Sequence, residues 1–219
     1  MSLVIVGAGP NLGLAIARRF GREGFSVGLV SRTQSKLDDL AGQLRADGIT
    51  ASGAAADIRD SDALAAAIRK LAGELGEVEV LGYQPLPARE FMKPILETSA
   101  DDVRGPLEFS VVGAVAATQA VVRPMLEAGR GTIHFTTGGA AIKPYPLRAG
   151  VGISFAGEVA YARMLHEELA PRGIHVAHTA IAGWIAPGKD HEPDDVADVI
   201  WSHHANRGPF QTLIGFATG

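Results

Sequence analysis

The residues with the plainest chemical potential lie near the start of the chain, in Gly7-Ala8-Gly9-Pro10-Asn11-Leu12-Gly13. The apolar run Leu3-Val4-Ile5-Val6 leads into them, and an alternating apolar and basic pattern follows at 15–20. That order reads as a buried strand, a tight turn and a helix N-terminus. The first N–H groups of a helix have no intrahelical partner and sit at the positive end of its dipole. Such a turn can therefore hold a phosphate or pyrophosphate. Glycine lets the backbone turn sharply and come close to the anion without an intervening Cβ. The Gly-x-Gly-x-x-x-Gly spacing is not the strict dinucleotide fingerprint, and a turn that merely packs strand on helix would use the same glycines. The flanking elements favour the binding turn.

Other residue types add candidate chemistry. Tyr145 and Lys143 share a loop with Pro144 and Pro146 and offer a phenol as proton donor with an ammonium beside it. A tyrosine in a proline-rich loop also serves as packing or as an oligomer contact. His175 and His178 lie on a strand-like segment and His134 on another, and the first two are expected to be packed or capped polar groups rather than ligands. His203 and His204 are adjacent on a helical pattern, so they do not share a face, and a helical surface is expected for them. Asp194 and Asp195 suit a helix N-terminus. No metal-ligand spacing and no nucleophile–base arrangement is present in the sequence.

The elements that must position these groups alternate. Apolar strand-like runs occupy 3–6, 25–31, 49–56, 78–83, 131–137, 174–181 and 211–215. Helical patterns follow the first turn and occupy 35–47 (with Ser35 near its cap), 61–75, 101–128, 151–169 and 193–205, while 84–93 and 138–150 read as loops. Nearly continuous apolar strands alternating with helices predict an α/β fold. It is a Rossmann-like, doubly wound three-layer sandwich around a seven-stranded parallel sheet. Ligands of such sheets sit beyond the carboxyl ends of the strands, near the topological switch point.

The totals narrow the function classes. The 219 residues suffice for one domain, 1–219, with a buried core. A net charge of −4, from 20 basic and 24 acidic residues spread along the chain, gives no footprint for nucleic acid or an anionic membrane. With no cysteine there is neither a disulfide frame nor thiolate chemistry. The strand at Leu3 leaves no room for a signal peptide, and no apolar stretch reads as long enough to cross a membrane. A cytoplasmic location is expected.

Several motifs together resemble the short-chain dehydrogenase/reductase family over nearly the whole chain. They are the Gly7/Gly9/Gly13 turn, Asp57-Ile58 after the third strand, Thr118-Gln119-Ala120-x-x-x-Pro124-Met125, Gly131-Thr132-Ile133, and the segment from Glu168 through Pro171-Arg172-Gly173-Ile174 to Val176. Ala182-Gly183-Trp184-Ile185 stands where the family has Pro-Gly. The resemblance implies a single NAD(P)-binding domain, with Gly7, Gly9, Asn11, Leu12 and Gly13 at the cofactor phosphates, Asp57 and Ile58 at the adenine, and Gly183 and Ile185 as further cofactor contacts. Ser31-Arg32 replaces the acid that would bind a ribose 2′-hydroxyl, which favours NADP(H) over NAD(H). Asp57 would serve equally as a helix cap.

The family's catalytic Tyr-x-x-x-Lys pair, counted back from Gly173-Ile174, falls on Val151 and Phe155. Its serine falls on or near Gly138, its asparagine near Ser110, and its Asn-Ala-Gly becomes Gln84-Pro85-Leu86. Valine and phenylalanine cannot carry a proton. Tyr145 is the replacement donor that the sequence offers, with Ser110 the second catalytic candidate. The stretch after the sixth strand is also too short for the family's helical lid. The resemblance therefore implies an NADP(H)-binding oxidoreductase acting on a small carbonyl or alcohol, with an inactive NADP(H)-binding homologue as the alternative. Family members associate through the fourth and fifth helices. A homodimer or homotetramer is expected through Val111, Val112, Val115, Val121, Val122, Val151, Phe155, Val159, Ala160 and Met164.

Overall fold

The computed structural model describes residues 1–216. Strands β1 (Ser2–Val6), β2 (Ser26–Ser31), β3 (Ala51–Ala55), β4 (Val78–Tyr83), β5 (Gly131–Gly138), β6 (Ile174–Ile181) and β7 (Gln211–Ile214) form one sheet in the order β3-β2-β1-β4-β5-β6-β7. Every pairing is parallel. The order reverses direction at β1, so the switch point lies between the carboxyl ends of β1 and β4.

Strand side chains alternate between two cores. Leu3, Ile5, Val27, Leu29 and Val80 face helices α1 (Leu12–Gly21), α2 (Gln34–Ala46) and α7 (Pro193–Asn206). Val4, Val6, Leu81, Ile133 and Phe135 face the other layer. That layer holds α3 (Ser61–Leu75), α4 (Ala100–Leu107), α5 (Gly113–Ala128) and α6 (Ala149–Leu169).

Helix boundaries follow local chemistry. Asp60 caps α3 by accepting the Ala63 N–H at 3.0 Å. Asp57, the alternative cap, does not serve as one. Ser99 and Asp102 close a capping box on α4. α2 starts at Gln34 after Thr33, one residue earlier than the Ser35 expectation. β3 is shorter than expected because the Ile49 N–H is taken by Leu44 O (2.9 Å), which holds Ile49 to the end of α2.

α4 and α5 are joined by a π-turn, Glu108–Val112, two residues after Pro106. Proline removes a backbone donor from the helix, and the ladder reopens one residue wider. The joined run, Ala100–Ala128, is long and apolar enough to span a bilayer by length and composition. That corrects the expectation that no apolar stretch is long enough to cross a membrane, although the helical region at 101–128 itself lies where expected. In the fold, α5 lies against α3 and β4, and α4 packs on α6.

The expected partner-facing residues divide. Val121, Val151 and Phe155 turn into the core, whereas Val112 and Met164 are exposed, beside Leu107 and Ile153.

Candidate functional site

The Gly7–Gly13 turn sits at the switch point. Gly7 has φ +87°, and a Cβ there would lie 2.5 Å from Pro85 Cα and 2.8 Å from Gln84 C. Only glycine fits, because β4 continues into Gln84, whose N–H donates to Val6 O (2.9 Å) across the turn. Gly13 lets α1 approach Ala8, whose Cα would lie 3.2 Å from an added Cβ. At Gly9 an added Cβ meets nothing within 4 Å, so the turn is open where a ligand would lie.

Asn11 precedes α1 and makes no side-chain cap bond. Leu14 N–H donates to Gly9 O (2.9 Å) and Ala15 N–H to Asn11 O (3.0 Å), whereas the Leu12 and Gly13 N–H groups have no backbone acceptor among the described residues. An open glycine and unpaired helix-start donors fit a pyrophosphate.

Ser31 ends β2 and Arg32 follows it directly, exposed. Asp57 lies beyond β3, where the Arg59 side chain (Nη2–Oδ2 3.2 Å) and the Arg59 N–H (3.0 Å) hold its carboxyl below the usual range, with Arg32 adding a weaker pull. The Ile58 side chain is buried. The structure thus brings Gly7, Gly9, Asn11, Leu12, Gly13, Ser31, Arg32, Asp57 and Ile58 to the carboxyl ends of β1, β2 and β3. This half offers the exposed Arg32 guanidinium and the free helix-start N–H groups.

The other half is apolar. Val151 and Phe155, one turn apart on α6, are both buried, and a Cβ on Gly138 would stand 3.4 Å from the Phe155 ring. Ser110 is also buried, in the π-turn, where its hydroxyl donates to Glu158 of α6. It therefore reaches a substrate only through another group. Tyr145 is 53% exposed in the 3₁₀-rich loop before α6, with Lys143 also exposed.

After β6 the chain makes a pinned turn. Trp184 N–H donates to Asp190 Oδ2 (2.8 Å), His191 Nε2 bonds Ala182 O (2.8 Å), and Gly188 N–H donates to Glu192 Oε1 (2.7 Å). Gly183 has φ +123° and Ile185 is half-buried, so both remain beside the carboxyl end of β6. No helix stands between Ile181 and Pro193, as the short spacing predicts.

The histidines hold a surprise. His175 and His178 are buried, as expected. His203 is buried too, bonded to Thr212 Oγ1 (3.1 Å), and His204 bonds Thr132 Oγ1 (2.9 Å) beneath Phe20, Phe25 and Trp201. That corrects the helical-surface expectation for the pair. Both sides of this helix end are covered, by β5–β7 on one side and α1 on the other. His134 bonds Thr179 (2.9 Å), and His178 bonds Thr137 (2.8 Å) and Gln211 (3.1 Å). Burial pushes the His175 and His178 imidazoles down to about 4 and holds His134 well below its ordinary value. The cluster forms a neutral hydrogen-bonded layer, and no metal-ligand group is present among the described residues. A polar row at alternate positions of β5, Thr132, His134 and Thr136, was the available signal.

A sequence model of the short chain dehydrogenases matches residues 2–189. An oxidoreductase of Mycobacterium tuberculosis (strain CDC 1551 / Oshkosh) is 33% identical over 77% of this chain and 64% of its own length. The chain thus spans under two-thirds of that relative. A crystal structure of a short-chain dehydrogenase from Rhodopseudomonas palustris superposes with a TM-score of 0.87 at 27% identity, covering 99% of this chain and 98% of the other. A metagenomic short-chain oxidoreductase, solved in complex with NADP, gives a TM-score of 0.84 at 26% identity, over 100% of this chain and 98% of its own.

Proposed function

The chain belongs to the short chain dehydrogenase family, and from that premise we propose that it is an NADP(H)-dependent oxidoreductase acting on a small carbonyl or alcohol. The observation that carries this is the open Gly7–Gly13 turn at the switch point, with Ser31-Arg32, and no acid, at the end of the neighbouring strand. The NADP held by the 26% identical neighbour supports the same choice.

The nicotinamide, when bound, would supply or accept a hydride. The chain's own residues hold the dinucleotide: unpaired N–H groups and Asn11 at the pyrophosphate, Arg32 at a 2′-phosphate, and Gly183 and Ile185 beside the ring. A carbonyl also needs a proton. The Tyr145 hydroxyl on the rim, with Lys143 two residues away, is the donor we assign. A second reading, an NADP(H)-binding homologue without turnover, is favoured by buried, apolar Val151 and Phe155. Exposed Leu107, Val112, Ile153 and Met164 on α4–α6 and the π-turn support self-association.

Arg32→Ala should weaken NADPH binding by about tenfold to a hundredfold, the worth of a charge-assisted hydrogen bond, and leave NADH binding unchanged. Nicotinamide fluorescence titration reads both. Equal losses for the two nucleotides would remove Arg32 as the selector. NADPH oxidation against a panel of carbonyls separates the two readings. Turnover that Tyr145→Phe abolishes supports the enzyme, and tight NADPH binding with no turnover supports the silent homologue.

A further inference from the structure

The buried carboxyl of Glu158 takes no part in the proposed reaction. It lies on α6 one turn beyond Phe155, is 1% exposed, and accepts the Ser110 hydroxyl from the π-turn, while its second oxygen has no partner among the described residues. The π-turn is held from other sides as well. Tyr83 of β4 donates its hydroxyl to Phe109 O. The Gly113 N–H closes the turn on Glu108 O, and a Cβ on Gly113 would come within 2.9 Å of Ile58 O. Gly113, where the turn passes into α5, thus lies against the Asp57–Ile58 loop, while the turn itself packs on α6, where Val111 lies close over Gly157 and Ser110 bonds Glu158.

We propose that Glu158 is a positioning residue: its uncharged carboxyl, hydrogen-bonded to Ser110, holds the π-turn on which the Asp57–Ile58 loop rests, so that loss of the proton loosens that loop. The nucleotide consequence rests on the proposed function; the latch itself belongs to the free chain.

The surroundings offer an ionised carboxylate no compensation. Tyr83 faces it from β4 and Tyr161 lies one turn further along α6, both with phenols pushed upward by burial and so neutral. From β5 comes Phe135. On β6, His178 is engaged by Thr137 and Gln211, and His166 of α6 bonds Val176 O. Arg104 of α4, Glu108 of the π-turn and Arg123 of α5 are exposed. Burial pushes the Glu158 carboxyl up to about 8, opposed only by the Ser110 hydrogen bond. A carboxylate in such a place is costly, and the cheapest relief is to draw the turn away and admit water.

The test uses the full chain. Carboxyl carbon NMR on the free protein should place the Glu158 titration well above the usual carboxylate range. Hydrogen-exchange protection at 108–113 should fall at least tenfold, relative to β5, between pH 6.5 and 9.5. In Glu158→Gln that fall should vanish. NADPH affinity should drop at least tenfold over the same interval in the parent and stay flat in the glutamine variant. A Glu158 titration in the ordinary range, or unchanged protection at 108–113 in the parent chain, overturns the latch. Absence of NADPH binding at every pH would strike the nucleotide reading alone, because the exchange and NMR measurements on the free chain still decide the latch.

Discussion

A Glu158→Gln chain should lose at least about 4 kcal/mol of folding stability when the pH is lowered from 8 to 5, about 3 kcal/mol more than the parent chain. His175 and His178 have ordinary values of 6.5 when unfolded and about 4 when folded. Between those values the unfolded chain binds more protons, so stability falls with falling pH. At pH 5 the loss is about 2 kcal/mol for each imidazole. His134, also held well below its ordinary value by burial, adds to it. Glu158 works in the opposite direction. Its carboxyl rises from 4.5 unfolded to about 8 folded, so the folded chain keeps a proton that the unfolded chain has lost. That penalty grows as the pH rises from 4.5 to 8, and lowering the pH from 8 to 5 recovers about 3 kcal/mol of it. Glu158 offsets much of the histidine effect in the parent, and the glutamine variant exposes that effect in full. Urea unfolding at pH 8, 7, 6 and 5 measures both chains. Parallel curves would show that Glu158 titrates alike in the folded and unfolded states.

Gly7→Ala should cost about 4 kcal/mol and abolish nucleotide binding, while Gly9→Ala should keep the fold. At Gly7 two penalties combine. An L side chain is strained at φ +87°, and its Cβ would sit 2.5 to 2.8 Å from backbone atoms of Gln84 and Pro85. Backbone cannot swing aside as a side chain does, so the sheet must open between β1 and β4 at its switch point. Strain of ~1–3 kcal/mol and overpacking of similar size are expected together. At Gly9 the added methyl meets open space in the free chain, so stability should hold within about 0.5 kcal/mol. The same methyl would stand where a pyrophosphate approaches, so NADPH affinity should fall at least tenfold. Calorimetric melting and NADPH titration of both variants separate the structural glycine from the ligand-facing one. Unchanged NADPH affinity in Gly9→Ala would remove the turn from the binding site.

Local signals carried most of the fold. β4, α3 and β6 lie where apolar runs and capping residues place them, because Asp60, Gly76 and Gly173 punctuate the chain sharply. The turn at Gly7–Gly13 was legible for the same reason: strand, glycines and helix are contiguous. What stayed hidden depends on tertiary covering. Helical spacing correctly puts His203 and His204 on different faces, but cannot say that a sheet covers one and aromatic side chains the other. The helical run at 101–128 was legible, but the π-turn at Glu108–Val112, two residues after Pro106, was not, because only the packed helix shows how its ladder passes the proline. Glu158 was discoverable, since it stands seven residues from Val151 and three from Phe155, on their buried face. Its partner Ser110 was singled out for a different reason, as the counterpart of a catalytic asparagine, and the pairing needed the packed helices to become visible.

The proposed function requires that a nicotinamide dinucleotide bind at the switch point. Trp184, 73% exposed beside Gly183, is placed to report it. The direct measurement is titration of the purified chain with NADPH and with NADH, followed by nicotinamide fluorescence excited through tryptophan and checked by calorimetry. Micromolar NADPH binding, with NADH at least tenfold weaker, is the predicted result. Binding of neither nucleotide would contradict it and leave the fold without its ligand.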